Sequence, residues 1–385
     1  MTSLPAGFAA HTANIGVKDD SLDFVVVLGA AGTHGAAMFT KSRFAGASVV
    51  LSRELVAAGR TRGVVVLSKN SNVATGDEGM RNARELVDTV ASRLGCLAEE
   101  LVVASTGVIG RQYPMDRVRH GLAAIPPTPQ GNDAELVARA IMTTDTRPKI
   151  AEAAVRGSSA RVVGVAKGVG MIEPDMATHI SLVFTDAALS RGELETLFRS
   201  TVEHTFNRVS IDTDTSTSDT TVCLASGAAG PVDRTAFADA LHSVLLSLTK
   251  QIARDGEGAE RIIEVRVDRA RDEEQAVTVA RAIVNSPLVK TAVHGADPNW
   301  GRVAMAVGKC AKYTDIQDDR VVIRFGAQEV FPSQVDDAGL ARLSTYMKSE
   351  EVLIHVSLNT GNAEATVWGC DLSAGYVRIN ADYTT

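Results

Sequence analysis

The sequence predicts a globular protein of mixed α/β or α+β class. Short apolar runs typical of buried strands recur along the chain, and segments with an apolar stripe at helical spacing lie between them. In the last third of the chain the two patterns alternate, which favours sheets covered by helices. Of the 385 residues, 45% are hydrophobic and 22% are charged. A chain of this size is expected to form roughly two to three domains with a large buried core.

Strands are predicted where apolar residues follow one another between turn residues. They are residues 24–28, 62–68, 101–104, 161–166, 178–184, 262–267, 321–325, 352–358 and 365–368. Glycine-rich residues 29–35 follow the first of these strands. Their spacing is out of register for the dinucleotide-binding motif G-x-G-x-x-G, so a turn between strands is the better interpretation.

Helices are predicted from apolar stripes and from their start and stop signals. Thr75 and Glu78 have capping-box spacing, and Gly95 ends the helix that they open. Ser190 and Glu193 form a second pair of this kind. The remaining predicted helices are residues 135–142, 235–252 and 273–284.

Composition excludes several classes of function. The formal net charge of −7 and the aromatic content of 4% argue against a nucleic-acid-binding protein. The four cysteines lie far apart without a C-x-x-C pair, which is typical of reduced thiols. Neither a signal peptide nor an apolar run long enough to cross a membrane is visible, so a cytoplasmic protein is expected.

One stretch, residues 167–180, has the composition of a reactive segment. A glycine-rich turn containing a proline leads to Ala177 and Thr178, and the apolar run 180–184 follows. A threonine hydroxyl there is well placed to attack the preceding carbonyl, and hydrolysis of the resulting ester would make Thr178 a new N-terminus. Its α-amine, with a reference pKa of about 7.7–8.0, would then act as the base for its own hydroxyl. From the residues alone, a β-branched residue opening a strand is the plainer explanation.

The segment Lys-Gly-Val-Gly-Met-Ile-Glu-Pro-Asp-Met-Ala-Thr, residues 167–178, resembles the self-cleavage segment of the ornithine acetyltransferase (glutamate N-acetyltransferase) family. The resemblance extends over essentially the whole chain. It implies an αββα-type sandwich, similar in arrangement to N-terminal-nucleophile hydrolases, with additional α/β lobes. It also implies cleavage between Ala177 and Thr178, with Thr178 as the catalytic nucleophile.

The resemblance also implies roles for residues whose own context is less specific. Ser-Thr-Gly-Val-Ile-Gly, residues 105–110, matches the family's oxyanion-hole motif, so Thr106 and Gly107 are expected to stabilise the oxyanion. Without the resemblance, a glycine turn after a strand would be preferred. Thr143 and Lys167 match substrate-binding residues, although Thr144 is close enough to be confused with Thr143. A cation at Lys167 suits the carboxylate of an amino acid.

Substrate-binding residues are also expected near the C-terminus. Glu257, between two glycines, matches a substrate-binding acid, and we expect it to pair with an α-ammonium. Asn380 and Thr385 match the family's C-terminal substrate residues. Residues 212–221 and 297–302 are expected to be structural or to support the residues that line the site. His179 should point away from the face of the strand that carries Thr178, in a packing or interface role. No metal-ligand spacing is apparent, and no metal is predicted.

The resulting hypothesis is acetyl transfer from N-acetyl-L-ornithine to L-glutamate by a ping-pong mechanism. Because an acetyl-Thr178 ester carries the acetyl group, no cofactor is expected. Three domains are predicted, a catalytic domain at residues 1–190, a small lobe at 191–255 and a C-terminal α/β domain at 256–385. The two cleavage products are expected to stay together and to assemble into a heterotetramer or a larger oligomer. Use of acetyl-CoA as a second donor, a self-processing amidase or aminopeptidase, and a non-catalytic assembly protein remain alternatives.

Overall fold

A computed structural model describes residues 2–173 and 179–382. None of the helices among these residues is long and apolar enough to cross a membrane. The strands are β1 (Phe8–Ala13), β2 (Phe24–Gly29), β3 (His34–Phe39), β4 (Gly63–Leu67), β5 (Leu101–Ser105), β6 (Lys149–Ala154), β7 (Arg161–Lys167), β8 (Ile180–Ala188), β9 (Val209–Ser210), β10 (Thr220–Pro231), β11 (Ile262–Ala270), β12 (Val322–Phe325), β13 (Gln328–Phe331), β14 (Glu351–Ser357) and β15 (Ala363–Cys370).

Helices connect and cover these strands. They are α1 (Ala47–Ala57), α2 (Gly76–Leu94), α3 (Met115–Ala123), α4 (Ala134–Ile141), α5 (Arg191–His204), α6 (Arg234–Arg254), α7 (Glu273–Val284), α8 (Pro287–His294), α9 (Trp300–Gly308), α10 (Asp337–Tyr346) and α11 (Ala374–Asp382).

The first sheet has the strand order β1-β2-β4-β5, and the second has the order β3-β10-β8-β7-β6. The central strands β2 and β4 are rich in valine because both of their faces are buried. In the second sheet, β8 pairs in parallel with β10 and antiparallel with β7. The registers place Ile180 opposite Thr220 on one side and opposite Lys167 on the other.

The two sheets stack with helices outside them. One hydrophobic core between the sheets includes Val25 and Val66 of the first sheet and Val165 and Leu182 of the second. A second core joins the outer face of the first sheet to α1, α2 and α3. A third joins the outer face of the second sheet to α5 and α6. These layers form an αββα sandwich, which confirms the predicted fold class.

A third sheet, of order β13-β12-β14-β11-β15-β9, forms the C-terminal α/β part. Its own hydrophobic core includes residues from α7, α8, α9 and α10. Residues 191–255 contribute β10, α5 and α6 to the second sheet and its helical layer. The division into three domains stays a prediction.

Most predicted elements are present with shifted ends. The capping box of α5 is formed as expected, since Ser190 accepts from the Glu193 amide and the Glu193 carboxylate accepts from the Ser190 amide. The predicted box at α2 is wrong, because the Thr75 hydroxyl donates to the Asn72 side chain instead of capping the helix. The elements that were not predicted are β1, β3, β6, β9, β10, β13, α1, α3, α8, α9, α10 and α11.

Candidate active site

A cavity of about 190 Å³ lies at the end of the sandwich where β5 and β7 finish. The sequence-predicted residues that line it are Thr106, Gly107, Thr143, Lys167, Glu257 and Asn380. They come from both sheets, the loop before β6, the loop after α6 and the C-terminal helix. Ala177, Thr178 and Thr385 lie outside the described residues. The next described residues after Thr178 are His179 and Ile180, where β8 begins.

Lys167 connects the two sheets at the cavity. It is the last residue of β7, and strand alternation places it on the same face as Val163 and Val165, which is the face toward the first sheet. Its ammonium donates to the Thr106 hydroxyl oxygen at 3.4 Å. Thr106 itself is buried directly after β5.

The backbone conformation at position 107 requires a glycine. Its φ of +134° is in the region that favours glycine, and a Cβ atom there would lie 2.2 Å from the Lys69 carbonyl carbon. The neighbouring Thr106 and Val108 amides donate to the Leu67 and Lys69 carbonyls. In the part of the chain that the structure describes, the Gly107 amide donates no hydrogen bond. Gly107 lines the cavity, which makes its amide a candidate donor to an oxygen atom of a ligand.

The Thr143 turn is fixed by one carboxylate. Asp145 accepts from the Thr143 amide at 3.1 Å and from the Gly168 amide at 2.7 Å, so it joins this turn to the end of β7. Thr144 lines the same cavity as Thr143, and both residues also line a neighbouring cavity of about 360 Å³ that shares Gly107. Burial by itself would raise the pKa of Asp145, but the charges of Lys167 and Lys149 and the hydrogen bonds lower it overall.

Glu257 and Asn380 meet on the opposite wall. The Asn380 amide donates to Glu257 Oε2 at 2.9 Å, which attaches α11 to the loop after α6. The Glu257 backbone amide donates to the Val169 carbonyl at 2.9 Å. A Cβ atom at Gly170 would lie 2.8 Å from the same Oε2, so the glycine permits the carboxylate to approach this turn closely. The C-terminal helix therefore contributes directly to the cavity wall.

Asp212 holds two residues in the first half of the reactive segment. Its carboxylate accepts from the Met171 and Ile172 amides at 2.7 and 2.8 Å. Met171 has a φ of +53°, an uncommon conformation for a residue other than glycine, and the Asp212 bonds stabilise it. Burial raises the pKa of Asp212, although these amide bonds oppose the increase. The structural role expected for residues 212–221 is consistent with these contacts.

His179 is a packing residue, as the alternation argument predicted. Its ring lies 4.1 Å from the Phe206 ring in an edge-on arrangement, within the core outside the second sheet. Neither ring nitrogen has a hydrogen-bond partner among the residues that the structure describes. Burial, with the nearby charges of Lys167 and Lys149, lowers the pKa of His179 to about 3. The imidazole is therefore neutral at ordinary pH.

Two carboxyl groups close to Lys167 were not singled out from the sequence. Burial lowers the pKa of Lys167, while the charges of Asp145, Asp219 and Glu257 oppose this decrease. Burial also raises the pKa of Asp219 well above its ordinary value, and its Oδ2 has no partner within the described ranges. The Thr-Thr-Asp-Thr turn was a local signal for Asp145, whereas Asp219 had none.

A group of three potential metal ligands lies outside the cavity. Glu260, His294 and Asp371 bring ligand atoms within 4.8 Å of one another. However, His294 Nδ1 already lies 2.9 Å from Asp371 Oδ2, and Arg261 lies 3.8 Å from both carboxylates. The guanidinium supplies the positive charge that a metal ion would otherwise bring, so we interpret this group as an ion-pair cluster.

The sequence matches the ArgJ family over residues 9–385. The Glutamate N-acetyltransferase Oat2 of Streptomyces clavuligerus is 55% identical over 388 residues, which cover 99% of this chain and 98% of that protein. The Arginine biosynthesis bifunctional protein ArgJ 2 of Nostoc sp. is 52% identical over 384 residues, covering 100% and 99%. The crystal structure of Arginine biosynthesis bifunctional protein argJ from Bacillus halodurans is 38% identical, covers 51% of this chain and 96% of that chain, and has a TM-score of 0.49.

Proposed function

This chain belongs to the ArgJ family, and from that premise we propose that it transfers an acetyl group from N-acetyl-L-ornithine to L-glutamate. The observation that carries the proposal is the convergence of Thr106, Gly107, Lys167 and Glu257 on one cavity next to the start of β8. A relative that is 55% identical over nearly the full length is named a glutamate N-acetyltransferase, which supports the choice of reaction.

The nucleophile would be made by self-cleavage between Ala177 and Thr178. The Thr178 hydroxyl attacks the Ala177 carbonyl, the peptide nitrogen leaves as an amine, and water hydrolyses the ester. Residues on both sides are well anchored, since Asp212 holds Met171 and Ile172, and the Thr220 amide donates to the His179 carbonyl at 3.1 Å. The freed α-amine then has a pKa near neutral pH, where a general base is effective.

In the first half-reaction, the Thr178 oxygen bonds to the acetyl carbon while the Thr178 amine takes the hydroxyl proton. The carbonyl oxygen becomes negative and receives hydrogen bonds from the Thr106 hydroxyl and the Gly107 amide. The C–N bond then breaks, the nitrogen takes the proton from the Thr178 ammonium, and ornithine leaves. Lys167 pairs with the substrate carboxylate, and Glu257 pairs with an ammonium group of the amino acid.

In the second half-reaction, the amine of L-glutamate attacks the acetyl-threonine ester. The same two donors stabilise the second oxyanion, the Thr178 oxygen leaves and regains a proton, and N-acetylglutamate is released. The acetyl group remains covalently bound between the two steps. This is why the proposed reaction needs no coenzyme.

The order of the second sheet supports the proposal that the two fragments stay together. In β3-β10-β8-β7-β6, strands from before residue 178 lie on both sides of the two strands that follow it. After cleavage, β10 would remain paired with β3, and β8 with β7. Separation of the fragments would break the hydrogen bonds of both pairs. We further propose that such cleaved pairs assemble into a heterotetramer or a larger oligomer.

The proposal is tested by replacing Thr178. Wild-type protein should run as two fragments on a denaturing gel and should convert acetylornithine and glutamate to ornithine and acetylglutamate. Thr178→Ala should remain a single polypeptide and should show no transfer, since it has no hydroxyl at this position. Ser226→Ala, which removes a hydroxyl far from the cavity, is the control. A processed and active Thr178→Ala protein would rule the mechanism out.

The word "bifunctional" in the name of the Nostoc relative favours a second candidate function, the use of acetyl-CoA as an additional acetyl donor. An assay with acetyl-CoA and glutamate, without acetylornithine, separates the two functions. Release of coenzyme A with formation of acetylglutamate would establish the second activity. If acetylglutamate forms only when acetylornithine is the acetyl donor, the enzyme has only the first function.

A further inference from the structure

Lys149, the first residue of β6, is a fully buried lysine outside the cavity lining. Its ammonium donates to Asp145 Oδ1 at 2.7 Å and to Asp255 Oδ2 at 2.5 Å. The side chains of all three residues are at most 1% exposed. Buried charges are retained only when they are well paired, so this ammonium holds the two carboxylates together.

The Asp145 side of this cluster leads to two cavity residues. Asp145 Oδ2 accepts from the Thr143 amide, and Oδ1 also accepts from the Gly168 amide directly after Lys167. The position of the Asp145 carboxylate therefore sets both the Thr143 turn and the end of β7. Loss of the hydrogen bond from Lys149 would therefore displace the Thr143 turn and the end of β7 together.

The Asp255 side leads to a third cavity residue. Asp255 caps the C-terminal end of α6 and accepts from the Thr146 amide at 3.2 Å and from the Thr146 hydroxyl. Glu257 follows two residues later, and its amide donates to the Val169 carbonyl. The cluster therefore connects the loop that carries Glu257 to the turn that carries Thr143.

We infer that Lys149 is a positioning residue that fixes the spacing between the Thr143 turn, the Lys167 strand end and the Glu257 loop. This inference rests on the proposed function, since it concerns the residues to which that function assigns the substrate. Lys149 contacts no substrate. It acts through the two carboxylates, which would repel each other if its ammonium were absent.

The charges that face the cluster make the inference testable. Asp145 and Asp255 face Lys149, Lys167 acts on Asp145, and Arg147 Nε lies 3.8 Å from Asp255 Oδ1. A neutral residue at position 149 removes the one ammonium that both carboxylates contact, so that they face each other without it. Removal of the Asp255 charge in the same protein removes their mutual repulsion.

The test compares Lys149→Met with Lys250→Met. Lys250 also joins two carboxylates, Glu264 at 3.0 Å and Glu351 at 2.6 Å, but it lies away from the cavity. A displacement of about 1 Å of reacting groups can lower the rate on the order of 100-fold. We therefore expect Lys149→Met to lower kcat/KM for acetylornithine by about 100-fold. Lys250→Met should remain within twofold of wild type. Both values are normalised to the amount of cleaved protein, which is determined by intact mass.

A second variant separates positioning from loss of folding. Lys149→Met/Asp255→Asn should recover at least a large part of the lost kcat/KM, because the two side chains no longer carry like charges that repel each other. The deficit of Lys149→Met should also diminish as the pH is lowered, since protonation of Asp145 removes one of the two charges that repel each other. A general structural defect would show neither recovery nor this pH dependence. Kinetics of Lys149→Met that match those of Lys250→Met would overturn the inference.

Hydrogen exchange gives a readout that does not depend on the reaction. Amides in residues 143–149 and 255–257 should exchange faster in Lys149→Met than in wild type, and Lys250→Met should leave both segments unchanged. A wild-type protein without transferase activity would refute the proposed function, and the exchange rates would still decide whether Lys149 joins the segments. Unchanged exchange in both segments would contradict the role of Lys149.

Discussion

The two walls of the cavity are built in different ways. The wall with Thr106 and Gly107 is held in place by the backbone, because β5 runs between buried layers and the Gly107 backbone lies against the carbonyl group of Lys69. The wall with Thr143, Glu257 and Asn380 is made of loops and a terminal helix that side-chain hydrogen bonds join. The rigid wall suits the stabilisation of an oxyanion, which requires fixed donors. The side-chain wall suits recognition of the charged groups of a substrate.

The largest expected effect comes from adding one methyl group to the backbone wall. Gly107→Ala places a Cβ atom 2.2 Å from the Lys69 carbonyl carbon, so the 107 amide must move away from the oxyanion position. Loss of one such donor lowers kcat on the order of 100- to 1,000-fold. We expect a loss of this size in the steady-state transfer assay.

Gly110→Ala is the matched control for this substitution. Gly110 also has a positive φ, +79°, but a Cβ atom there meets nothing within 4 Å. Its kcat should remain within a few-fold of wild type after correction for processing. Equal losses in the two variants would show that backbone strain in this loop, rather than the position of the 107 amide, determines the rate.

A smaller effect is expected on the side-chain wall. Glu257→Gln keeps an oxygen that accepts from Asn380 but removes the negative charge. Hydrogen bonds to charged groups contribute about 1.5–3 kcal/mol, so KM should rise by roughly 10- to 100-fold while kcat changes little. Glu260→Gln, an exposed acid outside the cavity, provides the control. A decrease in kcat with an unchanged KM would place Glu257 in the chemical step and would remove the distinction between the two walls.

The smallest effect is expected at Asn380. This residue is exposed, and its bond to Glu257 Oε2 at 2.9 Å orients the carboxylate. An ordinary hydrogen bond contributes about 0.5–1.5 kcal/mol, so Asn380→Ala should raise KM by only a few-fold. Arg378→Ala, on the same helix, should leave the kinetics unchanged. If Asn380→Ala were as damaging as Glu257→Gln, the amide itself would be the main contact with the substrate.

The range of the interactions along the chain explains what the sequence could predict. The strands and helices that were predicted are readable because their signals are local, such as the valine run of β4 and the Ser190 and Glu193 box of α5. The resemblance of residues 105–110 and 167–178 to a known family predicted the residues of the cavity. Those predicted site residues that lie within the described ranges line one cavity, and their roles stay predictions.

Other features depend on residues that are distant in sequence. Lys149 and Asp255 are 106 positions apart, and no local pattern relates them. The Thr75 cap was predicted wrongly because the Thr75 hydroxyl donates to the side chain of Asn72, outside the helix, and accepts from no helix amide among the described residues. Residues 376–380 have no clear helical stripe, so α11 was not predicted, although its Asn380 completes a wall of the cavity.

The most direct test of the account is the intact mass of the purified protein before and after incubation with acetylornithine. The account predicts two fragments, residues 1–177 and 178–385, and the addition of one acetyl group to the second fragment at Thr178. Addition of glutamate should then remove this acetyl group. A single uncut chain that nevertheless catalyses the transfer, or an active protein whose second fragment never carries an acetyl group, would contradict it.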